Sequence, residues 1–171
     1  MGEARADVSE KAGKAFRKDD ICEIARIGLM FLDGDKLEEV LKDRYSTEQD
    51  DINYNSDIFN LMKITLMKIE KIYPELGLGT VLWQLRPDNS DMVVPVVIGS
   101  ELRHGAEIVA PFPPVAPWEI QQVNKWMKAV FADGNASKVK WDDGTTSYYF
   151  AVRNSEDDIT GVLELQKPAV L

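Results

Sequence analysis

The residue types that most often do chemistry in enzymes are sparse in this chain of 171 residues. His104 is the only histidine and Cys22 is the only cysteine. A general base or a metal ligand needs a partner within reach, and His104 has no second histidine to pair with. Cys22 lies among isoleucines and acidic residues, which disfavour a reactive thiolate. We therefore expect an exposed loop histidine and a packed core cysteine.

Pairs of adjacent aspartates are the remaining candidates for acid–base chemistry or metal binding. They occur at Asp50-Asp51, Asp142-Asp143 and Asp157-Asp158, each with turn-forming residues nearby. Asp33 and Asp35 flank a glycine, but their segment lacks the length and terminal glutamate of a calcium loop. We therefore predict no catalytic residue, no metal site and no cofactor, and we expect the protein not to be an enzyme.

Composition restricts the partners and the compartment. The formal net charge is −9, spread over both halves of the chain. An acidic surface repels phosphate backbones and anionic lipids, so we expect no nucleic-acid partner and no membrane association. A single cysteine allows no internal disulfide, and the sequence shows no signal peptide. A cytoplasmic location is therefore expected.

The first half of the sequence has helical periodicity. Apolar residues recur at helical spacing over Ile21–Leu32, over Leu37–Leu41 and over residues 57–73, where Pro74 ends the segment. Residues 1–56 are predicted to form an N-terminal helical extension.

Strand periodicity begins after Gly79. Thr80–Leu85 alternates in polarity, and Met92–Ile98 is a β-branched run in which Pro95 indicates an edge or a bulge. The remaining predicted elements are a strand at Glu107–Ala110, a helix over residues 117–132, a hairpin turn at Asp142–Thr145, and strands from Val139, Tyr148 and Ile159. This order predicts an α+β fold with a five- or six-stranded, mainly antiparallel sheet and packed helices.

Three segments carry a family likeness. The helix ending at Pro74 feeds two strands joined by a turn at Pro87–Ser90, which is how GAF domains commonly open. The closing strands Tyr148–Arg153 and Ile159–Leu165, with an acidic turn between them, are similar to the GAF ending, where a Gly-Val-Leu step sits in the last central strand, as Gly161-Val162-Leu163 does here. Residues 57–167 therefore resemble the GAF/PAS-type sensor fold, and the resemblance implies a GAF-like α+β domain over residues 57–171.

The expected function is a non-enzymatic sensor or regulatory module that binds a small molecule or a protein partner. The resemblance implies a ligand cavity between the sheet and the proline-rich crossover at residues 111–117. The residues that we expect near it are Trp83, Arg103, His104, Phe112, Trp118, Trp126 and Tyr148. The crossover contains two Pro-x-x-Pro spacings, so it could alternatively dock on an aromatic groove of a partner.

Two alternative functions remain open. The order of elements also resembles that of type III secretion chaperones, which implies a scaffold that binds an extended peptide. An edge strand bulged at Pro95 would serve for strand addition. The second alternative is an accessory subunit of a larger enzyme.

A homodimer through the N-terminal helices is also expected. Ten of the twelve positions in Ile21–Leu32 are hydrophobic or glycine. One domain face covers only a stripe of about 100° on such a helix, so the remainder must meet another surface. A twofold contact between copies, aided by the helix at residues 57–73, is the simplest arrangement.

Overall fold

The computed structural model describes residues 21–39, 57–86, 89–99 and 121–169. The helices in these ranges are α1 (residues 21–31), α2 (residues 34–39), α3 (Asp57–Glu70) and α4 (Lys125–Asp133), with a short 3-10 helix at Pro74–Leu76. None of these helices has the length and apolar character that crossing a membrane requires.

Six strands form one sheet in the order β3-β2-β1-β6-β5-β4, and every neighbouring pair is antiparallel. The strands are β1 (Gly79–Arg86), β2 (Asn89–Ile98), β3 (Gln121–Gln122), β4 (Ser137–Lys140), β5 (Thr146–Arg153) and β6 (Ile159–Lys167). This sheet with its packed helices confirms the predicted α+β fold class. The last strand, β6, lies at the centre between β1 and β5.

Both faces of the sheet are covered, because successive side chains of a strand point to opposite sides. Helices α1, α2 and α3 cover what we call the three-helix face, where Ile24, Leu37 and Leu66 pack with Leu82 and Leu163. Helix α4 covers the opposite face, which we call the α4 face. Its core consists of Val81, Trp83, Val93, Met127, Val130, Val139, Tyr149 and Val162.

Helix α1 buries a single stripe against α3 and the sheet. Ile21, Ile24 and Ala25 are buried, and a Cβ built on Gly28 would lie only 2.7 Å from Ile69 Cδ1. Cys22 is exposed, so the prediction of a packed core cysteine was wrong. The reason is helical geometry, since each residue turns about 100° and the neighbour of a buried position can point outward.

The Asp33-Gly34-Asp35 segment at the start of α2 packs against the turn between β5 and β6. Asp33 Oδ1 accepts from the backbone N–H groups of Asp35 and Lys36, which caps the helix. Asp35 accepts from Ser155 Oγ at 3.1 Å. A Cβ on Gly34 would lie 2.2 Å from the carbonyl oxygen of Arg153, so only glycine permits this approach.

Helix α4 begins later than the predicted helix over residues 117–132. Gln121–Gln122 forms a strand that pairs with β2, and the side chain of Asn124 accepts from the N–H of Met127. Asparagine is a strong N-cap, and this bond satisfies one of the free N–H groups at the helix start. The predicted start was therefore wrong, whereas the predicted end holds, because Gly134 adopts φ 76° immediately after α4.

Two predicted irregularities of the sheet are confirmed. The hairpin at Asp142–Thr145 closes with Trp141 N–H donating to the Thr145 carbonyl, and Gly144 has φ 85°. The β1–β2 ladder shifts register near Pro95, since Leu82 pairs with Val97 while the next residue pairs with Pro95. Proline lacks the N–H of a regular ladder, so a bulge accommodates it.

Candidate functional site

The α4 face contains a buried polar group in the middle of the sheet. Glu164 of β6 is only 3% exposed. Its carboxylate accepts from Trp83 Nε1 at 2.6 Å and from Gln166 Nε2 at 3.1 Å. Cross-strand pairing positions these groups, because Trp83 of β1 pairs with Val162, two residues from Glu164 on the same face.

Tyr149 extends this polar group toward α4. It pairs directly with Glu164 across β5 and β6, and its hydroxyl accepts from Asn124 Nδ2 at 3.3 Å. Asn124 is also the N-cap of α4, so one side chain connects the start of the helix to the buried phenol. The arrangement places a carboxylate, a phenol and an amide within one buried layer. We call Trp83, Asn124, Tyr149, Glu164 and Gln166 the Glu164 cluster.

Electrostatics in the Glu164 cluster keep the phenol protonated. Burial raises the pKa of Tyr149 far above its usual value, and the negative charge of Glu164 raises it further. Hydrogen bonds with Asn124 and Ser147 act in the opposite direction and are weaker. Tyr149 is therefore a protonated hydrogen-bonding group at physiological pH.

A pair of tryptophans, Trp126 and Trp141, lies on the same face near β4. Trp126 of α4 and Trp141 meet edge to face, with ring centroids 5.7 Å apart. Trp141 Nε1 donates to Ser147 Oγ at 2.8 Å, and Lys125 Nζ lies 4.6 Å from the Trp126 ring centroid. Both tryptophans are half-buried and pack against the core of the α4 face.

The structure separates the predicted site residues. Trp83 and Trp126 both lie on the α4 face, whereas Tyr148 packs against the core of the three-helix face. A site on the α4 face therefore contains the two tryptophans and not Tyr148. The other predicted site residues lie outside the described ranges: Arg103, His104, Phe112 and Trp118.

Tyr148 and Tyr149 are adjacent in β5 and point to opposite faces of the sheet. Tyr149 is buried on the α4 face, and Tyr148 is half-buried on the three-helix face. Both pack against a core because helices cover both sides of this sheet.

The sequence contained a signal for the Glu164 cluster that the motif search missed. In β6, Glu164 and Gln166 alternate with Leu163 and Leu165. Such alternation usually indicates a solvated face. Here both polar residues are buried, because α4 packs on that face of the sheet.

The three-helix face has its own polar group at the end of β2. Glu70 Oε1 accepts from Thr80 Oγ1 at 2.7 Å, and Lys63 Nζ donates to the carbonyls of Ile98 and Gly99. Burial lowers the pKa of Lys63, and the charge of Glu70 partly opposes this effect. These bonds fasten α3 to the end of the β1–β2 ladder.

The members of the Glu164 cluster are joined to one another by hydrogen bonds in a buried layer. Its members donate and accept hydrogen bonds, and its phenol is not ionised. Across the described ranges, no three His, Cys, Asp or Glu side chains are grouped so that they could hold a metal ion. Comparison with known proteins adds no assignment, since no family model and no curated protein matches the sequence.

Proposed function

We propose that this protein is a non-enzymatic sensor or regulatory module of the GAF/PAS type, which binds a small molecule on the α4 face of its sheet. The observation that supports this proposal most directly is the buried Glu164 carboxylate with its Trp83 and Gln166 donors. Trp83 and Trp126, two of the residues expected near a ligand, lie on this same face.

The physical argument concerns the cost of burying charge. Desolvating a carboxylate is costly, and a well-packed apolar group of similar volume is often as stable or more stable. The centre of the three-helix face follows that rule, with Leu82, Leu163 and Leu165 packed beneath the helices. We infer that the hydrogen-bonded carboxyl group at the centre of the α4 face serves recognition, because the centre of the other face is built from leucines.

The topology supports the GAF/PAS resemblance on the residues that suggested it. Gly161-Val162-Leu163 lies in β6, and β6 is flanked by β1 and β5 at the centre of the sheet. A Cβ on Gly161 would lie 2.9 Å from the carbonyl oxygen of Trp83, so glycine permits the close approach of these strands. The lone cysteine and this fold suit a sensor of the reducing cytoplasm. Recovery of the native protein in a membrane or extracellular fraction would contradict that location.

Native mass spectrometry tests the ligand proposal. The protein is incubated with a small-molecule extract of its host cells, and a noncovalent adduct of defined mass is expected. Glu164→Gln keeps the shape of the side chain and removes its charge, so it should weaken the adduct. Glu70→Gln is the matched control, because Glu70 is the buried carboxylate of the opposite face. Absence of any adduct, or equal loss in both variants, would refute a site at Glu164.

A protein partner is the second candidate, and exposed apolar side chains favour it. On α1, Met30 is 73% exposed and Phe31 is 71% exposed. On α3, Leu61 and Ile64 are each 50% exposed. We propose that these residues pair with a second copy of the chain, as expected for a homodimer through the N-terminal helices.

Sedimentation analysis of surface variants tests this dimer. Met30→Glu with Phe31→Glu should convert dimers to folded monomers, because both side chains are exposed in one chain. Ile24→Glu is not a suitable test, because Ile24 is fully buried and its replacement disrupts the fold. Wild-type protein that sediments as a monomer at micromolar concentration would refute the dimer.

A further inference from the structure

Among the described residues, strand β4 is the last strand at one edge of the sheet. Within the described ranges it pairs only with β5, so the backbone groups on its other side have no ladder partner. The opposite edge is β3, which has only two residues. An unpaired strand edge is a template to which another extended chain can add.

Three lysines lie on the same face of the sheet, two of them on β4 and one on β6. Lys138 and Lys140 of β4 pair with Tyr148 and Thr146 of β5, and Thr146 pairs in turn with Lys167 of β6. Paired residues project to the same side, so the three ammonium groups belong to one surface of the three-helix face. None of these lysines forms an ion pair with any described residue. Lys138 and Lys140 are exposed, so they give this edge a local positive charge in a chain of net charge −9.

The edge strand is held rigidly. Val139 is buried in the core of the α4 face, between the two exposed lysines. Ser137 Oγ donates to the carbonyl of Trp126 at 3.0 Å, which fastens the start of β4 to α4. Trp141, directly after β4, donates its indole N–H to Ser147 of β5. A preorganised edge loses little conformational entropy when another strand adds to it.

We propose that the free edge of β4 binds an extended acidic peptide by strand addition. Acidic side chains at alternate positions of that peptide would lie beside Lys138 and Lys140, while its backbone continues the ladder. This peptide site is separate from the Glu164 cluster and does not depend on it. It also lies on a different strand from Pro95 of β2, where the sequence suggested strand addition, and β2 is not the last strand of the described sheet.

Protection of the edge against unwanted strand pairing explains only two of the three lysines. Lysine on an edge strand discourages unwanted pairing, which would account for Lys138 and Lys140. It does not account for Lys167, which belongs to the central strand β6 and extends the same basic row. The acidic turn residues Asp142 and Asp143 follow Trp141 after the end of β4, so they restrict an acidic peptide to the Ser137–Lys140 stretch.

Fluorescence anisotropy with a defined probe tests the proposal. The probe is a fluorescein-labelled peptide of sequence Thr-Glu-Val-Glu-Val-Glu-Thr, and the matched peptide has Gln in place of each Glu. Lys138→Glu with Lys140→Glu should raise the Kd of the acidic peptide by about tenfold or more, since two attractive pairs become repulsive. Lys68→Glu with Lys71→Glu is the matched control, because both lysines are exposed on and after α3, and its Kd should change less than about twofold.

Backbone pairing is tested with two N-methylated versions of the same probe, one methylated at the odd-numbered amides and one at the even-numbered amides. If the peptide adds to the ladder, methylation of the set of amides that face β4 should abolish binding, and methylation of the other set should not. Equal binding of both methylated peptides, equal binding of the Gln peptide, or an equal effect of the control variant would overturn the proposal. A change in the sedimentation of free protein upon Lys138→Glu with Lys140→Glu would also overturn it, because the occupant would then be a second copy. Circular dichroism confirms that each variant is folded.

Discussion

The two faces of the sheet are both buried under helices, but their centres differ in chemistry. Beneath α1, α2 and α3 the central strands contribute Leu82, Leu163 and Leu165, and polar groups such as Glu70 lie toward the ends of the strands. Beneath α4 the same strands contribute Trp83 and Glu164, joined by a hydrogen bond of 2.6 Å. The three-helix face thus has the composition of a stabilising core.

Under the proposed function, this contrast would assign stability to one face of the sheet and recognition to the other. A face built for stability tolerates polar groups where they fasten an element, as Lys63 does at the end of β2. A polar centre instead restricts which groups fit beside it, and this selectivity is what a binding site requires. Matched substitutions on the two faces test whether the faces differ in this way.

The largest effect is expected on the three-helix face. Leu163→Ala removes buried methyl groups at the centre of this core, and we expect a loss of about 2–5 kcal/mol in the free energy of unfolding. Leu61→Ala is the matched control, because that leucine is half exposed, and it should cost about 0.5 kcal/mol or less. Urea unfolding at low protein concentration measures both. Similar losses for the two variants would show that the three-helix face is not the main core.

The Glu164 cluster is expected to have a smaller but coupled effect. Trp83→Phe removes the indole donor to Glu164, and we expect a cost of about 1–3 kcal/mol. The double variant with Glu164→Gln should cost less than the sum of the single variants, with a coupling of at least about 0.5 kcal/mol. Additive costs would indicate that the hydrogen bond contributes nothing beyond packing.

Alkaline pH should distinguish the adjacent tyrosines of the two faces. Burial raises the pKa of both phenols, and the shift is much larger for Tyr149 than for Tyr148. A raised folded-state pKa gives a stability contribution that is complete below the unfolded pKa of about 10 and is lost as the pH rises further. Unfolding between pH 8 and 11 should therefore show a shallower alkaline decline for Tyr149→Phe than for the wild type. Tyr148→Phe should have a smaller effect, and the reverse order would contradict the assigned burial.

The smallest effect is expected on the exposed side of α1. Arg26 donates to Glu23 at 2.7 Å, and this bond lowers the pKa of the Glu23 carboxyl. Both side chains are solvated, and water screens such pairs. We expect no measurable change in the thermal midpoint for Glu23→Gln. A clear change would mean that this side of α1 is covered in solution, which supports the proposed dimer.

Much of the fold followed from local patterns. Alternation predicted β1 and β5, turn residues predicted the hairpin at Asp142–Thr145, and Pro95 predicted a bulge. The start of α4 did not follow, because Gln121–Gln122 pairs with β2 and only that tertiary contact makes it a strand. The helix over residues 57–73 was predicted slightly too long, since α3 ends at Glu70 and turns follow.

The candidate site was harder to predict than the fold. Tryptophans mark a core or a pocket equally well, so Trp83 and Trp126 were identified without knowing that they share a face. Cys22 was misplaced because composition around a helical residue does not determine its direction. Glu164 was not identified, because a charged residue in an alternating strand normally faces water.

The sequence by itself indicated most of the element types and the antiparallel character of the sheet. These depend on short-range properties, namely periodicity and turn geometry. Only the tertiary structure decided which surfaces are covered. Alternation along β6 states that Leu163 and Glu164 point to opposite sides, but burial of both requires α4 on one side and α1 to α3 on the other. Burial depends on how the helices and the sheet pack together, which no local pattern in the sequence reports. Only the packed structure therefore identifies a buried carboxyl group such as Glu164 as a candidate for recognition.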